Sequence, residues 1–171
     1  MNEKQIFNKA YAPALLCYIK AYNNAPLGSH LKSTLKKAMR NSLEQWSHRT
    51  PELVSQEAEK LSKKHHVDLF KTRYSGRGKC LKKYYLNKKG KKIECLNLVW
   101  EHTTPLKKLI ESLCKYDNIK AIKDTLNSYS GVCWITRKED NKLTRKGYKN
   151  NRLGGWRKCY KKCGIIIKRK P

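Results

Sequence analysis

Apolar residues in the first third of the chain recur at helical intervals. Leu31, Leu35, Met39, Leu43 and Trp46 fall every three to four positions, with Lys32, Lys36, Lys37 and Arg40 between them. That spacing predicts a helix with one buried and one basic face. An earlier helix is expected over residues 3–23, ended by the run Asn23-Asn24-Ala25-Pro26-Leu27-Gly28, whose proline and glycine break helical geometry. Thr50, Pro51 and Glu52 supply an N-cap oxygen, a first-turn proline and a first-turn acid, so a third helix is expected to start there and run to about Lys64. No internal repeat is evident. Residues 2–66 therefore read as a helical module.

After a Gly-containing basic stretch at residues 74–79, which reads as a linker, the pattern changes. Residues 80–86 and 93–100 are rich in Tyr, Leu, Ile and Val and flank the run Asn87-Lys88-Lys89-Gly90-Lys91-Lys92. A β-hairpin with a basic tip is predicted. Thr104-Pro105 then caps and opens a helix carrying Leu106, Leu109, Ile110 and Leu113, and Asp117 is the expected cap of another carrying Ile119, Ile122 and Leu126. The apolar run at residues 132–135 suits a buried strand. Thr136-Arg137-Lys138-Glu139 follows it as a capping box, in which the threonine oxygen accepts an amide and the glutamate reaches back to the threonine amide. A strand therefore passes directly into a helix at residue 136, ending near Gly147, with Asn141 in its second turn. Trp156, Tyr160 and Cys163 repeat at helical spacing and are expected in a core.

Charge narrows the partners. The 171 residues hold 40 Lys and Arg against 13 Asp and Glu, a formal charge of +27. Self-repulsion of that size favours a polyanionic partner, and nucleic acid comes first: DNA, with RNA left open. Hydrophobic residues at 39% are enough for a folded core rather than a disordered basic tail. The longest apolar run, residues 12–19, is too short to span a bilayer. Seven cysteines, an odd number, point to reduced thiols and a cytoplasmic setting. A zinc site on Cys80, Cys95, Cys159 and Cys163 is the minor alternative, since only a C-x3-C spacing and no CxxC pair is present. His65 and His66, with His30 and His48, sit at predicted helix ends, where a histidine completes the helix terminus. The oligomeric state is open, a homodimer included.

The candidate chemistry lies at residues 100–105, WEHTTP, where a scarce carboxylate stands beside a histidine at the end of a strand. A carboxylate and an amide oxygen hold a hard cation such as Mg²⁺, and an imidazole beside it can take a proton from water near neutral pH. Neighbours on a regular strand point to opposite faces. Thr103-Thr104-Pro105 is therefore expected to bend the chain so that Glu101 and His102 converge.

The Glu101-His102-Thr103-Thr104-Pro105 stretch resembles the D/E-H-x-x-P signature of HNH (ββα-metal) nucleases. Ile135-Thr136-Arg137-Lys138-Glu139-Asp140-Asn141-Lys142 is similar to their second strand and metal-binding helix, most closely in HNH domains of the CRISPR-nuclease type. The resemblance spans about residues 93–147. It implies His102 as general base, Glu101 and Asn141 as ligands of one Mg²⁺ or other divalent cation, and DNA phosphodiester hydrolysis of the restriction or phage type. The expected architecture is α+β: a basic helical module over residues 1–73 and an HNH-like core with inserted helices over 74–171. Arg137, Arg145, Lys146, Arg152 and Arg157 are the expected phosphate contacts. The rival reading is a non-catalytic DNA-binding or ribosome-associated protein.

Overall fold

The structure, a computed structural model, describes residues 3–47, 51–72, 80–86, 89–129 and 131–169. It is mixed α+β and divides into two compact units, Met1–Ser47 with Leu106–Ser130, and His48–Pro105 with Gly131–Pro171. These units differ in membership from a division at residue 73. Residues 106–130, expected inside the core, group with the N-terminal helices, and residues 51–72, expected among those helices, group with the sheet.

The first unit is helical: α1 (Glu3–Asn24), α2 (His30–Ser47), α4 (Leu106–Leu113) and α5 (Ile119–Ser128). Ala12, Leu15 and Ile19 of α1 meet Met39 and Leu43 of α2, the four leucine and isoleucine side chains of α4, and Ile122 and Leu126 of α5 in one apolar cluster. Each helix contributes at three- or four-residue spacing, the stripe that buries one face. Leu31, expected in that stripe, is exposed instead, and the side chain of Trp46 lies outside the described residues. Asn8 is fully buried and donates to Asn127 Oδ1 at 2.7 Å, so the polar group between α1 and α5 is satisfied. Asn118 rather than Asp117 caps α5, accepting from the Ala121 amide at 2.8 Å.

The second unit is built on a five-stranded sheet of order β2-β3-β4-β1-β5, comprising β1 (Leu53–Ser55), β2 (Cys80–Leu86), β3 (Lys92–His102), β4 (Val132–Thr136) and β5 (Ile167–Arg169). Strands β2, β3 and β4 are antiparallel neighbours, β1 runs parallel to β4, and β5 runs antiparallel to β1. The expected hairpin is present as β2–β3, whereas Asn87, Lys88 and the stretch at residues 73–79 lie outside the described residues. The helix expected from Thr50 does not start there. Thr50 and His48 are outside the described residues, and Leu53, Val54 and Ser55 form a fully buried strand before α3 (Gln56–Lys64) begins. Hydrogen bonding to β4 and β5 on both sides outweighs the local helix signal, as tertiary pairing commonly does for a short apolar run. His65 and His66 then close α3, as expected of its C-terminal end, their amides donating to Ser62 and Lys63 carbonyls.

Helices cover both faces of this sheet. On one, Leu53, Val99, Cys133 and Ile135 pack against Leu143 of α6 (Arg137–Arg145), against Tyr160 of α7 (Trp156–Lys162) and against Cys163, which caps α7. On the other, Val54, Leu98, Trp100, Val132 and Trp134 pack against Ala58 of α3 and Leu69. Trp100 and Trp134, both 1% exposed, meet edge-on across the β3–β4 pair with centroids 4.8 Å apart.

Ser55 and Thr136 each end a strand and cap the helix that follows. Thr136 Oγ1 accepts from the Glu139 amide at 3.2 Å while Glu139 Oε2 accepts from the Thr136 amide at 2.7 Å, completing the capping box. Ser55 Oγ caps α3 by accepting from the Ala58 amide and donates to the same Glu139 Oε2 at 2.7 Å. Removing either side of this buried link leaves polar groups unsatisfied, so Ser55→Ala and Glu139→Ala should each lower stability by about 1–3 kcal/mol. Their coupling in a urea double-mutant cycle should exceed about 0.5 kcal/mol; strictly additive effects would mean that the two caps are independent.

Candidate functional site

Strand β3 runs in unbroken register with β4 to its end, Glu101 opposite Cys133 and His102 opposite Val132. The bend at Thr103 and Thr104 comes after both residues. Glu101 therefore shares a face with Val99 and Cys133, the face covered by α6 and α7, while His102 follows the alternation of Leu98 and Trp100 toward the α3 face. The expectation that the bend would turn both onto one face is corrected: each sits at the sheet's rim, one on either side. His102 is 8% exposed.

The bend is held firmly. Thr103 is fully buried, and both its amide and its hydroxyl donate to the Gly131 carbonyl, at 3.1 and 3.0 Å. This ties the exit of β3 to the entry of β4. Gly131 has φ 81°, a left-handed conformation that glycine adopts without steric cost.

Helix α6 ends in a Schellman turn. The Tyr148 amide donates to the Leu143 carbonyl at 2.8 Å and the Gly147 amide to Thr144 at 3.0 Å, with Gly147 at φ 72°. The turn directs the chain back across the sheet face to Arg152. That side chain, expected among the phosphate contacts, is instead buried. Its Nη2 donates to Glu101 Oε1, its Nη1 to the Tyr148 carbonyl, and its Nε to the Thr103 carbonyl at 3.4 Å. The Arg152 and Glu101 side chains are only 5% and 14% exposed. A carboxylate buried on that face needs a positive partner, and the guanidinium supplies one.

Asn141 stands on the exposed side of α6, whose buried positions are Glu139, Asp140 and Leu143. Asp140 is paired with Arg137 at 2.9 Å, and Arg137 stays half-buried. Arg145, Lys146 and Arg157 are exposed. Lys146 Nζ donates to the Lys162 carbonyl at 2.6 Å, and the Arg157 guanidinium lies 4.8 Å from the Trp156 ring centroid. Trp156 is half-buried, meeting Tyr160 edge-on at 5.4 Å. No acidic residue follows Asp140 in the sequence. Arg145, Lys146 and Arg157 thus belong to a segment of one sign, whereas Arg137 precedes it and pairs with Asp140.

The oxygens around Glu101, one carboxylate and two backbone carbonyls, are all taken by the Arg152 guanidinium. Among the described residues no cluster of three or more His, Cys, Asp and Glu gathers to hold a metal, at Glu101 or anywhere else. Cys159 and Cys163 are buried thiols, and burial pushes the Cys163 thiol upward, away from the thiolate that zinc binds. The side chains of Cys80 and Cys95 lie outside the described residues.

Sequence reasoning missed Arg152 as the partner of Glu101. The two are 51 positions apart, and nothing local marks one arginine among many. Compared with known proteins, the chain matches no protein-family model, no curated protein and no solved structure. Because truncation of one partner leaves the other charge buried alone, Arg152→Ala should destabilise the protein by about 3–5 kcal/mol. Urea unfolding followed by tryptophan fluorescence measures this; a loss under about 1 kcal/mol would match an exposed pair instead.

Proposed function

We propose that this chain is a divalent-metal-dependent endonuclease acting on DNA phosphodiester bonds, with an HNH-like core. The observation that carries the reading is local architecture. Glu101 and His102 end a strand antiparallel to β4, and β4 passes without a loop into the capped helix α6, which covers the Glu101 face. Two antiparallel strands and a helix in that order are the frame that the HNH resemblance calls for, with α4 and α5 inserted between the strands.

In this reading an imidazole nitrogen of His102 takes the proton of the attacking water at the rim of the sheet. Glu101 and, from α6, Asn141 are the residues that would hold the cation. When bound, a metal such as Mg²⁺ withdraws charge from the phosphate in the transition state. Arg145, Lys146 and Arg157 in the acid-free segment, with Arg137 just before it, draw the phosphate backbone. Arg152 serves Glu101 rather than the backbone. The free thiols of Cys17, Cys114, Cys133, Cys159 and Cys163 support a reducing compartment such as the cytoplasm. No described helix is long and apolar enough to cross a membrane.

A second reading, a non-catalytic nucleic-acid-binding protein, is favoured by one observation: Glu101 and His102 depart from the strand on opposite faces. Plasmid DNA separates the two. The protein should nick supercoiled plasmid with Mg²⁺ and not with chelator, and His102→Ala should lose about 100-fold or more in rate while binding DNA as before. Equal behaviour of the two proteins, with neither nicking, leaves the binder. Under both readings affinity for DNA should fall about tenfold or more over a fourfold rise in salt, because phosphate contacts release counterions. A flat salt titration in a filter-binding assay would remove nucleic acid as the partner.

A further inference from the structure

We infer that the cleft between α7 and β5 is a binding site for an unpaired nucleotide of a DNA strand, with the base against Trp156 and the neighbouring phosphates on Arg157, Lys161 and Arg169. The inference rests on the nucleic-acid partner of the nuclease reading and deepens it, by giving the bound strand an unpaired segment.

One chain reversal builds the cleft. Helix α7 closes in a Schellman turn, the Gly164 amide donating to the Lys161 carbonyl at 3.0 Å and the Ile165 amide to the Tyr160 carbonyl at 2.9 Å. The chain then returns beside the helix it has left. Ile165 joins the apolar cluster of Tyr160, and β5 pairs with β1, Ile167 opposite Ser55 and Arg169 opposite Leu53. Strand alternation puts Ile167 and Arg169 on the α7 side, where Ile167 packs, while Lys168 on the other side reaches Glu59 of α3. Between helix and strand lies a cavity of about 340 Å³, lined by Trp156, Tyr160 and Lys161 from the helix and by Ile165, Ile166 and Arg169 from the returning chain. That volume falls within the range of small-ligand pockets, about 300–1,000 Å³.

The lining fixes the class of ligand. Its wall is apolar and aromatic: Trp156 is half-buried, Tyr160 meets it edge-on, and Ile166 is 63% exposed. Covering such surface is favourable, and the flat face of a base covers it. Its rim is cationic. Arg157, Lys161 and Arg169 are exposed, and among the described residues none that lines the cleft is acidic. A purely apolar ligand would leave the cations unused, and a bare phosphate chain would leave the wall uncovered. A nucleotide within a strand engages both. The Arg157 guanidinium lies over the Trp156 ring, 4.8 Å from its centroid, and a base stacks on a guanidinium plane as it does on an aromatic ring. A paired base cannot enter, because the duplex stack encloses it. Tyr160 also has the Arg152 guanidinium 5.6 Å from its ring centroid, and that guanidinium binds Glu101. A single aromatic ring therefore links the cleft to the end of β3.

Fluorescence anisotropy of the full chain with three labelled probes tests this: an oligothymidylate, an abasic strand of the same length and charge, and a blunt duplex of that length. The parent should bind the oligothymidylate about fivefold or more tightly than the abasic strand, since base stacking adds affinity that phosphates alone do not supply. Trp156→Leu should remove that gap while leaving duplex affinity within about twofold. Ile166→Ser, at a position exposed enough to leave the fold intact, should narrow the gap by about twofold. Equal affinity of the parent for the two single strands, a gap that survives Trp156→Leu, or a loss on duplex as large as that on oligothymidylate would each overturn the inference. Where Trp156→Leu fails to fold, Ile166→Ser decides, and an unchanged gap counts against the cleft. A parent that shows the gap yet never nicks plasmid removes the nuclease reading and leaves the cleft. Nicking by a protein indifferent to the bases does the reverse.

Discussion

One buried carboxylate, that of Glu139, holds the second unit together. Its Oε2 accepts from the Ser55 hydroxyl, the Thr136 amide and the Thr136 hydroxyl, at 2.7, 2.7 and 2.9 Å. Ser55 and Thr136 are the last residues of the parallel strands β1 and β4 and the caps of α3 and α6. Those helices lie on opposite faces of the sheet, so a single side chain fixes where both begin. A negative group at two helix N-termini is also favoured by their dipoles. The position of α6 sets Leu143 on the sheet and the turn at Gly147. That turn in turn carries Tyr148 and Arg152 to Glu101, so the candidate site inherits its geometry from the cap.

Parts of this were legible in the residues because their causes are local. The capping box at Thr136 and Glu139 needs only a four-residue pattern, and the hairpin only two β-favouring runs around a polar tip. Tyr160 and Cys163 are buried as their helical spacing implies, with Trp156 half-buried beside them. What was hidden depends on contacts far apart in sequence. Leu53, Val54 and Ser55 carry no strand signal that outweighs the helix-start pattern before them, and only pairing with residues about 80 positions later makes them β. The hydroxyl of Ser55 reaches Glu139 across 84 positions. The helices α4 and α5 are recognisable from their apolar spacing, but nothing in that spacing says that their partners are α1 and α2 rather than the sheet that flanks them in the chain.

The candidate site divides the same way. Glu101, His102 and Asn141 stand out by residue type and motif, and the strand end and the helix that carry them lie where the pattern puts them. Their side-chain directions do not follow from the motif. The strand keeps its alternation through His102, and Asn141 falls outside the buried arc of α6. Arg152 could not be chosen among the arginines, because what distinguishes it is burial, and burial is set by Gly147 and by the packing of Tyr148 rather than by its neighbours in sequence.

The scarcity of carboxylates in so basic a chain acquires a physical sense from where they are placed. Glu139 joins two helix caps, Glu101 holds Arg152, Asp140 holds Arg137, and Glu59 links α3 to β5 through Lys168. Hydrogen bonds from Lys168, and secondarily from Lys63, hold the Glu59 carboxyl below the ordinary carboxylate range. These acids sit at 17% exposure or less, where the surroundings screen a pair less than water does. They are placed as internal ties, and after Asp140 no acid remains in the sequence. Glu57 and Asp68 of the same unit pair on the surface instead, with Lys60 and Lys71. The net positive charge therefore comes from number, 40 Lys and Arg against 13 acids, while the buried acids serve the fold, Glu101 being the tie at the end of β3.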